Sequence, residues 1–150
     1  MGASIGKRDS LADGARLGSS FQWHDGFLVG HDGVDADHKR FFGYFSDLAR
    51  EIDGPADPAA LEHLFTVVLG DLGQHLMAEE LFLDAIGFPE TASHRTSHLM
   101  LSEQAKAAFA IGLDGEWATA LRLLATSVLE HITEEDSKMR PFLAVTSAAE

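Results

Sequence analysis

Apolar residues recur at three- and four-residue spacing in four successive stretches of the chain, and no stretch alternates with the period of two that demands a strand. The first runs from about Asp35 to Ile52. Asp35 suits an N-cap, Phe41, Phe45, Leu48 and Ile52 form one stripe, and Gly54 with Pro55 ends it. The second opens at Asp57-Pro58, a cap followed by proline in the first helical position, and extends to Ile86 before Gly87. Its stripe is Leu61, Leu64, Val68, Leu72, His75, Glu79, Phe82 and Ile86. The third runs from about Pro89 to Ala110, with Gly112 beyond its end, and turns His94, His98, Leu101, Ala105 and Ala108 inward. The fourth starts after a capping Asp114, carries Leu121, Leu124, Val128 and His131 on one face, and is expected to end at Arg140 because Pro141 follows. Short connections between four such helices predict an all-α, up-down-up-down four-helix bundle.

The ends of the chain lack this periodicity. Residues 1–20, rich in Gly, Ser and Ala, are expected to be a flexible N-terminal tail. Residues 21–34 mix aromatics with glycines and predict an irregular arm whose Phe21, Trp23 and Phe27 need a surface to pack on. Residues 144–150 are expected to be a C-terminal tail, which leaves a single domain over 21–143.

Composition narrows the function. A chain of 150 residues, 45% hydrophobic, supports one domain with a core. A net charge of -13 argues against nucleic acid and anionic membrane surfaces as partners, since both reward Lys and Arg clusters. No apolar run reaches the length of a membrane span, and Met1–Ser20 has no apolar segment of the secretory type, so a cytoplasmic location is expected. The absence of cysteine excludes disulfides, iron–sulfur clusters, thiolate zinc sites and cysteine nucleophiles, leaving any metal to imidazole and carboxylate. The eight histidines then become the main clue.

Polar residues interrupt the apolar faces at matching depths. His75 and Glu79 are four apart on the second helix, and His94 and His98 are four apart on the third. His38 lies early in the first helix and His131 midway along the fourth. A single HxxxE or HxxxH is weak, because such pairs are usually surface hydrogen bonds. Four helices that each turn a ligand-type side chain toward the others are another matter. Burying imidazoles and a carboxylate without partners costs several kcal/mol, roughly 2–7 per polar group, and a metal centre compensates them together.

These residues and their surroundings (VGHDGVDADHKRFF, HLMAEELF, FPETASHRTSH and HITEED) resemble the bacterial hemerythrins over about residues 21–143, making that span a hemerythrin-like domain. The family's order of His, HxxxE, HxxxH and HxxxxD reads here as His38, His75 with Glu79, His94 with His98, and His131 with Asp136. The resemblance implies a non-haem di-iron centre with two iron ions per chain. His94, His98 and His131 would hold one iron, His38 and His75 the other, with Glu79, Asp136 and an oxo or hydroxo group bridging them. Dioxygen would bind reversibly at the open position of the two-histidine iron, and azide or other small anions would compete for it. An oxygen-binding carrier, store or sensor is implied rather than an enzyme, with a protein partner unspecified.

Asp136 is the ligand that helical geometry does not supply. Five residues turn about 140° round an ideal helix, and Glu135 would lie nearer the face of His131. The family pattern selects Asp136, which requires a local widening of the helix or a carboxylate that reaches round it. His24, His31 and His63 belong to no helical ligand pair and are read as solvent-facing or structural, and Glu80 as solvated or salt-bridged. The family commonly has Trp-Leu one turn before the last histidine, where this chain has Ser127 and Val128. Both residues are expected to line the dioxygen pocket and to leave it more open. A ferritin-like oxidase needs Glu-x-x-His, which the chain lacks. A phosphohydrolase would need its His-Asp pair on a buried helix, whereas His24-Asp25 and His31-Asp32 fall in the arm. An oxygen-sensing module would act through a separate partner protein.

Overall fold

A computed structural model of the chain describes Leu17 and residues 21–149. Among the described residues there is no strand, and four long helices form the bundle: α1 (Asp32–Asp53), α2 (Pro58–Ala85), α3 (Thr91–Leu113) and α4 (Trp117–Glu134), followed by a shorter α5 (Met139–Ala149). α1 packs on α2 and α4, α2 on α3, and α3 most extensively on α4, which closes the ring. Each of the four long helices turns its apolar stripe into a common core that includes Phe41, Phe45, Leu48, Leu61, Phe65, Leu101, Ala108, Leu121 and Leu124, all at most 2% exposed. Among the described residues no helix is long and apolar enough to cross a membrane.

Several ends differ from expectation, each for a local reason. α1 begins three residues early because His31, not Asp35, is its cap: the His31 Nδ1 accepts from Val34 N at 3.2 Å. Asp35 is buried instead and accepts hydrogen bonds from Val29 N (2.7 Å) and Gly30 N (3.2 Å), fastening the arm to the helix. The arm also packs its rings on α1, with Phe27 stacked on Phe42 at 5.2 Å and Trp23 edge-on to Phe42 at 5.5 Å. α3 runs on through Gly112 to Leu113, and Asp114 caps its end rather than the start of α4. Gly112 is obligatory there, because a Cβ would lie 2.3 Å from the Trp117 ring.

The helix expected to stop at Arg140 breaks earlier and then resumes. α4 ends at Glu134, a 3₁₀ turn spans Asp136–Lys138, and α5 carries Pro141 in its first turn, where no amide partner is needed. α5 continues to Ala149, so the expected C-terminal tail is largely helical. Its Met139 joins Leu83 and Phe88 in a small second core, and Arg140 donates to the Leu28 and Gly26 carbonyls of the arm. The expected N-terminal tail lies outside the described residues except for Leu17, which is 2% exposed in the main core.

Candidate metal centre

The four helices deliver seven polar side chains to one point in the core. His38 comes from α1, His75 and Glu79 from α2, His94 and His98 from α3, His131 from α4, and Asp136 from the 3₁₀ turn. All are buried, Glu79 and His94 to 1% exposure and Asp136 to none. The HxxxE and HxxxH pairs face inward together because four residues make just over one helical turn.

Asp136 reaches the cluster by another means. The helix neither widens nor continues; it tightens into the 3₁₀ turn, which swings the fifth residue after His131 back over the core. Glu135, the alternative by ideal geometry, faces outward and meets Lys138 Nζ at 3.1 Å.

The carboxylate oxygens sort the imidazoles into two groups. Glu79 Oε1 lies 2.5 Å from His94 Nε2 and 3.1 Å from His98 Nε2, while Glu79 Oε2 lies 3.1 Å from His75 Nε2 and 4.0 Å from His38 Nε2. Asp136 Oδ1 lies 3.0 Å from both His94 and His131 Nε2, and its Oδ2 3.1 Å from His38 Nε2. One oxygen of each carboxylate thus faces His94, His98 and His131, and the other faces His38 and His75. Ligand atoms of Glu79, His94, His98, His131 and Asp136 fall within 4.8 Å of one another, as do those of His38, His75, Glu79 and Asp136.

Close approach does not satisfy these groups. Both ring nitrogens of His38, His98 Nδ1, His131 Nε2, Glu79 Oε2 and both Asp136 oxygens are buried without a hydrogen-bond partner. So many orphaned lone pairs aimed at two points are costly in a protein interior and are what a pair of metal ions would satisfy. The donor set of five imidazoles and two carboxylates suits iron among several transition metals.

Two outer carboxylates stand behind the rings. Asp37 Oδ2 pairs with His75 Nδ1 at 2.8 Å and is itself tied to Arg40 at 2.9 Å. Glu80 Oε2 approaches His98 Nδ1 to 3.3 Å and pairs with Arg95. Asp37 thus braces His75 from behind by a hydrogen bond, which orients the ring and leaves Nε2 for a ligand role, whereas Glu80 lies near His98 without hydrogen-bonding it. Asp37 was not legible in the sequence, since its contact spans two helices. Glu80 is salt-bridged as expected, and its contact with His98 is additional.

The electrostatics of the metal-free cluster follow from the same contacts. Burial and the Asp136 charge push Glu79 up, but His75, His94 and His98 overcome both and bring its carboxyl down to about 2. Burial likewise opposes ionisation of Asp136, yet His131, His38 and His94 hold it well below the ordinary range. Burial pushes the His94 imidazole down, but Asp136 and Glu79 raise it to about 9.

Beside His38, His75, His131 and Asp136 lies a small cavity of about 10 Å³ walled by Phe41, Leu72, Leu76, Leu101, Val128 and Ile132. Val128 lines it; Ser127 is buried but does not. Those small residues leave little extra space, since neighbouring leucines close in. The remaining histidines stay outside the cluster. His24 accepts from Gly26 N, His31 caps α1, and His63 is exposed.

A helical bundle that buries a two-sided cluster of imidazoles about two carboxylates defines a cation-binding protein. Residues 29–143 match the hemerythrin HHE cation-binding domain, and the chain belongs to that family. It is also 25% identical over 125 residues to hemerythrin-like proteins of Naegleria gruberi and Naegleria fowleri, covering 83% of this chain and 95% of each relative. No solved structure matches it.

Proposed function

We propose that the chain binds dioxygen reversibly at a non-haem di-iron centre. His94, His98 and His131 would hold one iron, His38 and His75 the other, and Glu79 and Asp136 both. The observation that carries this reading is the division of the two carboxylates: each has one oxygen on the side of His94, His98 and His131, where together they meet all three rings, and the other on the side of His38 and His75. The unequal count leaves the His38 and His75 side short of a donor, and the small cavity borders both of those histidines as well as His131 and Asp136.

A pair of irons supplies the electrons for reversible dioxygen binding. The chain's own residues set the conditions. Asp37 fixes the His75 imidazole from behind by a hydrogen bond to Nδ1. Phe41, Leu72, Leu76, Leu101, Val128 and Ile132 exclude water from the two-histidine side, which withholds protons from a bound ligand. Among the cavity-lining residues, only the histidines and Asp136 could donate or accept a proton. That lining favours a carrier, store or sensor over an enzyme.

The test is an anaerobic preparation with metal analysis and absorption spectra before and after air. Two irons per chain and a spectrum that reverts when oxygen is removed are expected. One iron per chain, or sustained oxygen consumption with no reversible spectrum, would overturn the reading.

A further inference from the structure

The ligands are buried, so a metal ion must have a way in. Among the described residues, three cavities border them. The cavity beside Val128 is apolar and, at about 10 Å³, holds roughly one water-sized probe, too little for a hydrated cation. A groove between α2 and α3, of about 410 Å³, touches only His98 among the ligands; Glu80 lines it too, but its carboxylate pairs with Arg95 at 3.3 Å and makes no hydrogen bond to His98. The third approach is an opening of about 230 Å³ where the start of α1 meets the end of α2. Its floor is His75 and Glu79, and its wall includes Asp37, whose side chain is 28% exposed and bonded to His75 Nδ1. His31 and Phe82 flank it with ring centroids 4.2 Å apart, and exposed Ala78 sits at its rim.

We propose that metal ions load through this opening, with Asp37 as the first carboxylate met and Glu79 as the ligand that passes the ion to either subsite. The inference rests on the di-metal reading. Its chemistry is that of a divalent cation exchanging water for oxygen donors in steps. Asp37 is wetted at one end and reaches a ligand at the other. Glu79 has one oxygen toward each imidazole group, so an ion arriving beside His75 is already against the residue both subsites share.

Cobalt(II) uptake by the metal-free full chain, followed by stopped-flow absorbance, tests it. Ala78→Lys puts a cation at the rim and should slow uptake threefold or more, while Ala78→Glu should speed it. Salt should shrink both differences, because the effect is a screened steering of the ion. Ala78→Phe narrows the opening and should slow uptake at any salt. Thr66→Lys makes the same charge change on exposed helix surface about 18 Å earlier along α2 and should load at nearly the parent rate. Final cobalt content should be two per chain in every variant. Rates insensitive to all three changes at Ala78, or a Thr66→Lys chain slowed as much as Ala78→Lys, would overturn the route while leaving the metal centre standing. A parent chain that never takes up two ions would overturn the di-metal reading, and the route with it.

Discussion

Glu79 turns one oxygen toward His94 and His98 and the other toward His75 and His38, and Asp136 turns one toward His94 and His131 and the other toward His38, so each carboxylate touches both groups of imidazoles. Glu79→Ala or Asp136→Ala should therefore reduce iron content from two per chain to below one, measured by metal analysis after anaerobic reconstitution. Glu135→Ala removes only an exposed contact to Lys138 and should keep both irons. A Glu135→Ala chain that loses the pair would place the wrong carboxylate in the centre. The cavity poses a narrower question. Val128→Leu adds about one methylene to a space of about 10 Å³ beside His38 and His75. It should slow azide binding to the oxidised centre and slow autoxidation, at a stability cost of about 1–3 kcal/mol. Ser127→Trp should instead destabilise without altering either rate in the molecules that fold, because Ser127 does not line the cavity. Unchanged azide kinetics in a folded Val128→Leu chain would show that ligands arrive from another side.

At the scale of elements, Asp35 shows how one side chain can join two of them. Its carboxylate accepts from Val29 N and Gly30 N, and both amides would lose their partner in Asp35→Ala. Hydrogen bonds to a charged group contribute about 1.5–3 kcal/mol, so the melting temperature should drop by several degrees, with Trp23 fluorescence shifting as the arm loosens. An unchanged emission maximum would mean that the rings alone, Phe27 on Phe42 and Trp23 on Phe42, hold the arm. The same residue marks the limit of sequence reading. Asp35 resembles a cap by type and position, but the tertiary demand of two arm amides outbids that role, and His31 caps the helix. The four helices and six of the seven clustered side chains were legible because period and burial coincide in a bundle. Asp136 was legible only through family resemblance, since it depends on a 3₁₀ turn that no periodicity announces. Asp37 escaped altogether, because its partner His75 lies 38 residues away on another helix.

For the molecule as a whole, the centre is where all four bundle helices meet, and its protonation links to global stability. In the metal-free chain His94 is raised from 6.5 to about 9 by Asp136 and Glu79 against the opposing pull of burial. The stability this contributes is fully present below pH 6.5 and is lost as pH rises through about 9. Glu79, lowered from 4.5 to about 2, contributes stability that is present above pH 4.5 and lost as pH falls through about 2. The melting temperature of the metal-free chain should therefore form a plateau between these limits and decline from pH 6.5 towards 9. Loading with iron replaces the imidazole proton by a metal, so the loaded chain should melt higher and should not decline over that interval. Loading at neutral pH should also release protons, seen calorimetrically as a binding heat that changes with the buffer's ionisation enthalpy. Calorimetric melts of both forms across this range check the linkage. A metal-free chain whose melting temperature stays level from pH 6.5 to 9 would mean that His94 is already neutral in the folded state, and that the carboxylates are balanced by the other imidazoles.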